Sequence, residues 1–181
     1  MELPEKRSDL EAFGKIRITI EETPVGRGVF AEQAIPARVV VGEITGEVTE
    51  DQDYDSEYCF DVGDGQTLEP EAPFRFLNHC CEPNCEFDYF SAPDESGRFY
   101  RKRAFLVTLR DVLAGEELRI DYHWPAVDAI KCGCGSLSCR GWVVCADEVG
   151  EVPEQVSPRL SEPPTRSNCC LLYTSDAADE S

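Results

Sequence analysis

Two segments decide how this chain folds: Arg75-Phe-Leu-Asn-His-Cys-Cys-Glu-Pro-Asn84 and, far downstream, Cys132-Gly-Cys-Gly-Ser-Leu-Ser-Cys139. The second segment carries three cysteines in the pattern Cys-x-Cys-x4-Cys, and the first carries Cys81. Four cysteine thiolates complete the tetrahedral shell of a structural zinc ion. We therefore predict a zinc site held by Cys81, Cys132, Cys134 and Cys139. Such a site would fix the end of the folded domain onto its middle.

The chain has ten cysteines, which in principle allow five disulfides. Its first residues contain no apolar stretch of signal-peptide type, and no apolar run is long enough to cross a membrane. These features predict a reducing intracellular compartment, nuclear or cytoplasmic depending on the organism. Clustered cysteines in such a compartment are more typical of metal ligands than of disulfides. A disulfide or plain thiol interpretation remains the alternative.

Charge is unevenly distributed along the chain, whose net charge is −19. Residues 43–95 contain sixteen acidic residues and a single basic residue, Arg75. A field of this sign attracts basic peptides and repels nucleic acid. It predicts a basic protein or peptide partner, no direct nucleic-acid binding and no membrane association, and we expect a monomer. The alternative is a solvated acidic surface that only keeps the protein in solution.

One basic cluster, Arg98, Arg101, Lys102 and Arg103, is the only candidate for a phosphate-binding patch. Tyr100, Phe105 and Val107 supply the apolar partners of this cluster. We interpret the cluster as the solvent-facing side of a strand rather than as a binding site.

Short apolar alternations separated by turns run through the chain. Period-two patterns predict strands at 16–20, 29–30, 39–45, 58–62 and 99–109, and no segment sustains a helical period over three turns. This pattern predicts a mainly β domain. Residues 146–166 are rich in Glu, Ser and Pro and are expected to be disordered or loosely attached. The last segment, 168–181, resembles read-through of a sequencing adapter, and we assign it no function.

Four blocks of the sequence resemble the SET-domain protein lysine methyltransferases. Residues 75–84 are similar to the family's Asn-His-Ser-Cys-x-Pro-Asn signature, and 115–122 to its Gly-Glu-Glu-Leu-x-x-Asp-Tyr block. Residues 26–30 match the early Gly-x-Gly turn, and 132–142 resemble the cysteine-rich post-SET segment. The blocks occur in the family's order, and a chance match of four ordered blocks is hard to obtain.

The resemblance implies a SET-domain fold of small curled sheets with a threaded C-terminal segment, plus a small zinc-binding post-SET region. On this basis we expect an N-terminal tail at 1–14, a SET domain at 15–125, a post-SET zinc segment at 126–145 and a tail at 146–181.

The resemblance also implies the site residues. Tyr122 matches the catalytic tyrosine of the family, and Asn78 and His79 match the pair that holds S-adenosylmethionine. The same comparison implies that the main chain of Arg27, Gly28 and Val29 contacts the methionyl part of that cofactor. Tyr122 would also border the cofactor, and Trp142 would cover its adenine ring.

Several positions depart from the family pattern or lack an assigned role. Cys80 replaces the usual serine, and Ile120 stands where the family usually has Phe or Tyr. Tyr58 resembles a tyrosine of the lysine channel, and Arg75 is either a buried ion-pair partner or a neighbour of the cofactor. Cys85 and Cys145 are expected to be small packing residues.

The sequence therefore predicts an enzyme that transfers methyl groups from S-adenosylmethionine to lysine in a basic protein, a histone or another. One alternative is a catalytically silent SET module that binds basic peptides. A second is a zinc-knuckle protein that binds nucleic acid, against which the net charge argues.

Overall fold

The computed structural model describes residues 16–51, 53–54, 56–93 and 100–153, and side chains at 90–93 and 100–102 are left aside. Within these ranges the chain is built of short strands and three single-turn 3-10 helices, as the mainly β prediction required. The strands are β1 (Ile18–Thr23), β2 (Gly26–Ala31), β3 (Val40–Ile44), β4 (Gly46–Thr49), β5 (Phe60–Gly63), β6 (Gln66–Pro70), β7 (Asn78–His79), β8 (Cys85–Pro93), β9 (Tyr100–Thr108), β10 (Glu117–Ile120), β11 (Ile130–Lys131) and β12 (Trp142–Val143). The 3-10 helices are Phe74–Phe76, Ala126–Asp128 and Val149–Glu151.

One four-stranded sheet, in the order β1-β2-β10-β7, positions most of the residues of interest. β1 and β2 form an antiparallel hairpin, and β10 pairs antiparallel with β2. β10 also pairs in parallel with β7, which places Arg119 opposite Asn78 and Ile120 opposite His79. Two motifs that lie far apart in sequence thus become neighbours through backbone hydrogen bonds.

Two three-stranded sheets, β3-β9-β8 and β4-β6-β5, and one two-stranded antiparallel sheet, β11-β12, make up the rest of the β framework. β8 and β9 pair antiparallel from Cys85↔Thr108 to Pro93↔Tyr100. The sequence patterns did not predict β8 or β10, although Cys85, Phe87 and Tyr89 alternate with polar residues. β10 has only four residues, and β8, although it has nine, begins directly after a motif segment that drew the interpretation.

The main core lies where these sheets meet. Val29, Leu106 and Leu118 are fully buried, with Ile35 and Val112 joined across a single bridge. The prediction that Cys85 is a small packing residue is confirmed, since it is fully buried in this core. Burial raises the pKa of its thiol to about 12, which keeps it protonated.

A second, smaller core closes the C-terminal part of the described chain. Ala126, Ala129 and Val144 are buried together, and Val149 and Val152 pack against them. The expectation that the chain is loosely attached from residue 146 onward is therefore wrong for 146–153, because these two valines find an apolar surface there. Residues 154–181, including the adapter-like segment, lie outside the described residues. No helix among the described residues is long and apolar enough to cross a membrane.

Candidate functional site

The four cysteines selected from the sequence come together in space. The Sγ atoms of Cys81, Cys132, Cys134 and Cys139 all lie within 4.8 Å of one another. The Sγ atoms of Cys81 and Cys132 are 3.7 Å apart. Tetrahedral zinc with Zn–S bonds of about 2.3 Å requires sulfur–sulfur distances of about 3.8 Å, so this donor set fits the ion.

Backbone amides point at the sulfur atoms of this cluster. The N–H groups of Cys134, Arg140 and Gly141 lie 3.4 Å from the Sγ atoms of Cys132, Cys81 and Cys139, respectively. Such donors stabilise thiolates over thiols. Burial by itself would raise the pKa of Cys134, but hydrogen bonds from Cys81 and Ser136 lower it to about 5. Burial raises the pKa of Cys81 and Cys132, so among these thiols the hydrogen bonds favour the thiolate most clearly at Cys134.

Tyr122 stands two residues after β10, and hydrogen bonds hold both its side-chain hydroxyl and its backbone N–H. Its hydroxyl donates a 2.8 Å hydrogen bond to the carbonyl oxygen of Leu77, and its backbone N–H donates to Nδ1 of His79 at 3.2 Å. Its ring lies edge-on to His79, with 5.4 Å between ring centroids. The Asn78-His79 segment and Tyr122, both selected from the sequence, are thus in direct contact.

A pocket opens beside the Tyr122 ring. Its walls are mainly apolar and aromatic, and its lining consists of Glu57, Tyr58, Cys59, Phe60, Pro70, Phe74, Arg75, Leu77, Phe87, Ile120, Asp121, Tyr122 and Trp124. Ile120 lines the wall and is almost fully buried. A pocket of this kind removes water from a side chain that enters it.

Trp124 is a wall residue that the sequence reasoning missed. Its ring lies 5.4 Å from that of Tyr122 and is tilted by 37°. An aromatic residue two positions after Tyr122 was the signal in the sequence that could have found it. Phe60, Phe74 and Phe87 were also missed, because they come from three separate elements.

His79 is held in its neutral form. Burial lowers its pKa to about 4, although Asp121 acts in the opposite direction and Arg140 reinforces the shift. Because Nδ1 accepts the Tyr122 N–H, the ring proton lies on Nε2, which is 3.4 Å from the Sγ of Cys81. His79 therefore links the backbone of Tyr122 to a cysteine of the metal cluster.

A narrow cradle forms where β2, β7 and β10 meet. The side-chain amide of Asn78 donates to the carbonyl oxygen of Arg27 at 3.0 Å and to Oε1 of Glu117 at 2.7 Å. A Cβ atom at Gly28 would lie 2.4 Å from Glu117 Oε1 and 2.9 Å from Thr23 Cγ2. The glycine is therefore required for the close packing of this cradle. Both N–H groups of Asn78 are engaged, which leaves its carbonyl oxygen to accept a hydrogen bond from a ligand.

The remaining cofactor candidates lie at the edges of this region. Val29 is fully buried in β2, so only its main chain is placed to touch a ligand. The Arg27 guanidinium lies 3.8 Å from the centroid of the Phe76 ring. Trp142 packs against the small C-terminal core, and Lys131 Nζ lies 3.5 Å from its ring centroid.

The sequence left the role of Arg75 open, and the structure places this residue in the pocket wall. Its guanidinium stacks 4.3 Å from the Tyr58 ring centroid and pairs with Glu69 at 3.4 Å. Arg75 is thus both an ion-pair partner and a pocket wall.

In the basic cluster, Arg103 is half-buried in an ion pair with Glu43, so its charge is already neutralised within the fold. Cys80 is buried and donates to the carbonyl oxygen of Glu82, as a serine hydroxyl could.

A buried ion pair joins the metal cluster to the Tyr122 segment. The guanidinium of Arg140 contacts both carboxylate oxygens of Asp121, at 2.8 Å to Oδ1 and 2.7 Å to Oδ2. The two side chains are 15% and 8% exposed. Arg140 directly follows Cys139, and Asp121 directly precedes Tyr122. The sequence did not predict this ion pair, since nothing in a single sequence pairs an arginine next to Cys139 with an aspartate directly after β10.

Comparisons with known proteins point to one family. The family model described as the SET domain matches residues 26–123. Histone-lysine N-methyltransferase trithorax of Drosophila melanogaster is 35% identical over 133 residues, which is 65% of this chain and 3% of the relative. Histone-lysine N-methyltransferase 2B of Homo sapiens is 32% identical over 152 residues, covering 75% of this chain and 5% of the relative. The chain thus spans a small fraction of the length of these curated relatives.

Among solved structures, the chain is similar to a crystal structure of KRYPTONITE in complex with mCHG DNA and SAH. The TM-score is 0.61 at 25% identity, covering 71% of this chain and 29% of that one. A second KRYPTONITE structure, in complex with mCHH DNA, an H3(1-15) peptide and SAH, gives a TM-score of 0.60 at 25% identity with the same coverage.

Proposed function

The chain belongs to the SET-domain family, and from this premise we propose that it transfers methyl groups from S-adenosylmethionine to a lysine side chain of a basic protein. One observation carries the proposal: the Tyr122 hydroxyl, the apolar pocket and the Gly28–Asn78 cradle all meet around β10. A methyl acceptor and a methyl donor could approach Tyr122 from these two neighbouring sites.

The pocket would prepare the lysine. An exposed lysine has a pKa of about 10.4 and carries a proton that blocks nucleophilic attack. Aromatic and aliphatic walls, including Phe60, Leu77 and Trp124, strip water from the ammonium and lower its pKa. Much of the rate would come from this desolvation and from holding the nitrogen in line for displacement.

Tyr122 would orient the amine. Its hydroxyl is fixed by the carbonyl oxygen of Leu77, so its lone pairs point in a defined direction. A hydroxyl oxygen placed next to the transferring methyl stabilises the partial positive charge on that group. The same ring forms part of the pocket wall, which keeps the acceptor lysine and the hydroxyl together.

The cradle would hold the methyl donor. The cofactor supplies a methyl group on a positively charged sulfur when it is bound. The Asn78 carbonyl oxygen and the Glu117 carboxylate are suited to its ammonium group, and Gly28 leaves the main chain of Arg27, Gly28 and Val29 open to close approach. His79 would contribute its backbone, since its ring is already bonded to Tyr122 and Cys81. Trp142 would contact the adenine ring.

A zinc ion would be structural. The four cysteine thiolates fill a tetrahedral shell, and this leaves no position for water or substrate. Its contribution would be to attach the post-SET segment, proposed as 126–145, to a SET domain proposed as 15–125. Val149 and Val152 pack against the small apolar core around Val144, which supports extending this segment to residue 153.

A histone tail is the substrate class that we favour, and the nucleus is then the compartment. The relatives are named as histone-lysine methyltransferases, and one similar structure holds an H3 peptide. The acidic stretch at 43–95 suits such a ligand. KRYPTONITE is also in complex with DNA, but this chain covers 29% of that protein. The absence of nucleic-acid binding therefore stays a prediction for this chain.

Incubation with labelled S-adenosylmethionine and a set of core histones tests the proposal. We expect label on a histone lysine, identified by mass spectrometry, and loss of label with Tyr122→Phe. Tyr89→Phe, which alters a tyrosine on β8, is the matched control. Cofactor binding without transfer to histones or to other basic proteins would favour the silent peptide-binding module instead.

A further inference from the structure

Arg140 occupies the junction between the metal cluster and the Tyr122 segment. Its backbone N–H donates to the Sγ of Cys81, and its side chain holds both oxygens of Asp121. The residue is therefore in contact with both sides at once.

The charges around Arg140 explain why a guanidinium is needed at this position. Four thiolates around a divalent ion carry a net charge of −2, and the Asp121 carboxylate adds another negative charge nearby. Cys81 and Cys132 act on the guanidinium electrostatically, as does Asp121. A cation between these two anionic groups relieves their mutual repulsion. A planar fork also sets the orientation of the carboxylate, which a lysine ammonium does not.

Asp121 transmits this orientation to the backbone that follows. Its Oδ1 accepts the His123 N–H at 3.2 Å as well as the Arg140 guanidinium. Tyr122 stands between Asp121 and His123, and His123 has a positive φ of 50°. A non-glycine residue rarely adopts that conformation unless its surroundings hold it. The turn that aims the Tyr122 side chain thus depends on a carboxylate that Arg140 holds.

His79 forms a second, parallel link. Its Nε2–H faces the Sγ of Cys81, and its Nδ1 accepts the Tyr122 N–H. The Tyr122 N–H therefore donates to His79, which contacts Cys81 of the cysteine cluster. The His123 N–H donates to Asp121, which is held by Arg140. Hydrogen bonds of this kind around metal ligands orient the ligands and tie them to the rest of the protein.

We propose that Arg140 is a positioning residue that couples the metal cluster to Tyr122, by clamping Asp121 and so fixing the turn at 121–123. This inference rests on the proposed function, because the proposed function is what gives Tyr122 a catalytic role. Through the Arg140–Asp121 ion pair, the Tyr122 side chain is correctly oriented only when the metal site is filled. Arg140 itself touches neither substrate nor cofactor in this scheme.

The test compares metal-loaded proteins by metal content and by amide hydrogen exchange at Tyr122 and His123. In the wild type, chelation should speed exchange at these amides by about tenfold or more. Arg140→Met loaded with zinc should keep the metal and yet show the faster exchange. Arg140→Lys should fall between Arg140→Met and the wild type. Arg38→Met, which removes the exposed Arg38–Glu86 pair, is the matched control and should behave as the wild type.

Two outcomes would overturn the inference. Zinc-loaded Arg140→Met with wild-type exchange at both amides would mean that the turn does not depend on Arg140. Loss of zinc from Arg140→Lys, whose charge is retained, would make Arg140 part of the metal site rather than a link from it. If Arg140→Met does not fold, Arg140→Lys and Asp121→Asn decide by the same two measurements.

Neither metal content nor amide hydrogen exchange depends on methyl transfer. The inference can therefore fail while the proposed function stands, and the proposed function can fail while the inference stands. If the wild type is active, Arg140→Met should lower kcat by about tenfold or more with a smaller change in the peptide KM, since only the aim of Tyr122 is lost. An inactive wild type with the expected exchange pattern would count against the methyltransferase function alone.

Discussion

The hydroxyl of Tyr122 and the carbonyl oxygen of Leu77 are joined by a 2.8 Å hydrogen bond. Leu77 directly precedes Asn78 and His79, and it is buried at the base of the pocket. The residue proposed to orient the acceptor amine is therefore anchored to the backbone that leads into the proposed cofactor cradle. Any movement of one would displace the other.

Tyr122→Phe should reduce kcat by about two powers of ten, the usual scale for losing one positioned polar group. The ring remains, so cofactor affinity should change by less than about threefold. Steady-state kinetics together with calorimetric titration of S-adenosylmethionine measure both quantities. Near wild-type turnover in this variant would make Tyr122 a structural residue.

The cysteine cluster predicts one tightly bound zinc ion per chain. Elemental analysis of protein purified under reducing conditions should give about one zinc per chain. Cys132→Ser should lose the metal, whereas Cys145→Ser, which alters a cysteine outside the cluster, should keep it. Chelation should weaken cofactor binding but leave most of the β framework folded, as seen by circular dichroism. Metal-free wild-type protein with normal cofactor affinity would contradict this scheme.

Gly28→Ala should disrupt the cradle. The added methyl group would press on the Glu117 side chain at 2.4 Å and on the Thr23 side chain at 2.9 Å, so the Glu117 carboxylate must move from its place beside Asn78. We expect the Kd for S-adenosylmethionine to rise by about tenfold or more, the effect of moving several binding groups at once. Gly150→Ala is the control, since no atom lies within 4 Å of its added Cβ. Unchanged binding by Gly28→Ala would place the cofactor elsewhere.

The acidic stretch predicts a salt-dependent KM for basic peptides. Exposed charges are screened beyond about 8 to 10 Å at physiological ionic strength, so raising the salt concentration from low values should raise KM. Turnover at saturation should change little, because the reaction takes place in the mainly apolar pocket and not among the exposed acidic side chains. A neutral peptide with the same target lysine is the control. A KM that does not respond to salt would limit the acidic residues to a role in solubility.

Ile120 predicts how many methyl groups are added. It lines the pocket wall, lacks a hydroxyl and is smaller than the Phe or Tyr usual in the family. A methylated amine should therefore still be able to turn its lone pair toward the donor, and di- or trimethyl-lysine is the expected product. Ile120→Tyr should shift the product toward monomethyl-lysine, while Ile120→Val should not. Mass spectrometry after long incubation decides, and a wild type that stops at one methyl group would refute the pocket argument.

The local motifs were readable because their chemistry is carried by consecutive residues. Cysteines at the spacing of Cys132, Cys134 and Cys139 have few uses other than metal binding in a reducing compartment, and the structure brings them together with Cys81. The early glycine turn and the Asn78-His79 pair were found for the same reason. The strand pattern likewise predicted a mainly β chain, since alternating side chains must bury one face of a strand.

By itself, the sequence determined the family, the class of fold and the set of candidate ligands. Only the tertiary structure decided what surrounds Tyr122: the walls from Phe60, Phe87 and Trp124, and the Arg140–Asp121 pair. These contacts join residues from separate elements, and a charge pair or an aromatic wall leaves no local pattern in the chain. The pairing of β10 with both β2 and β7 brings Tyr122 beside Asn78 and His79, whereas the walls and Arg140 come from segments outside that sheet, which only the packing of the whole fold brings together.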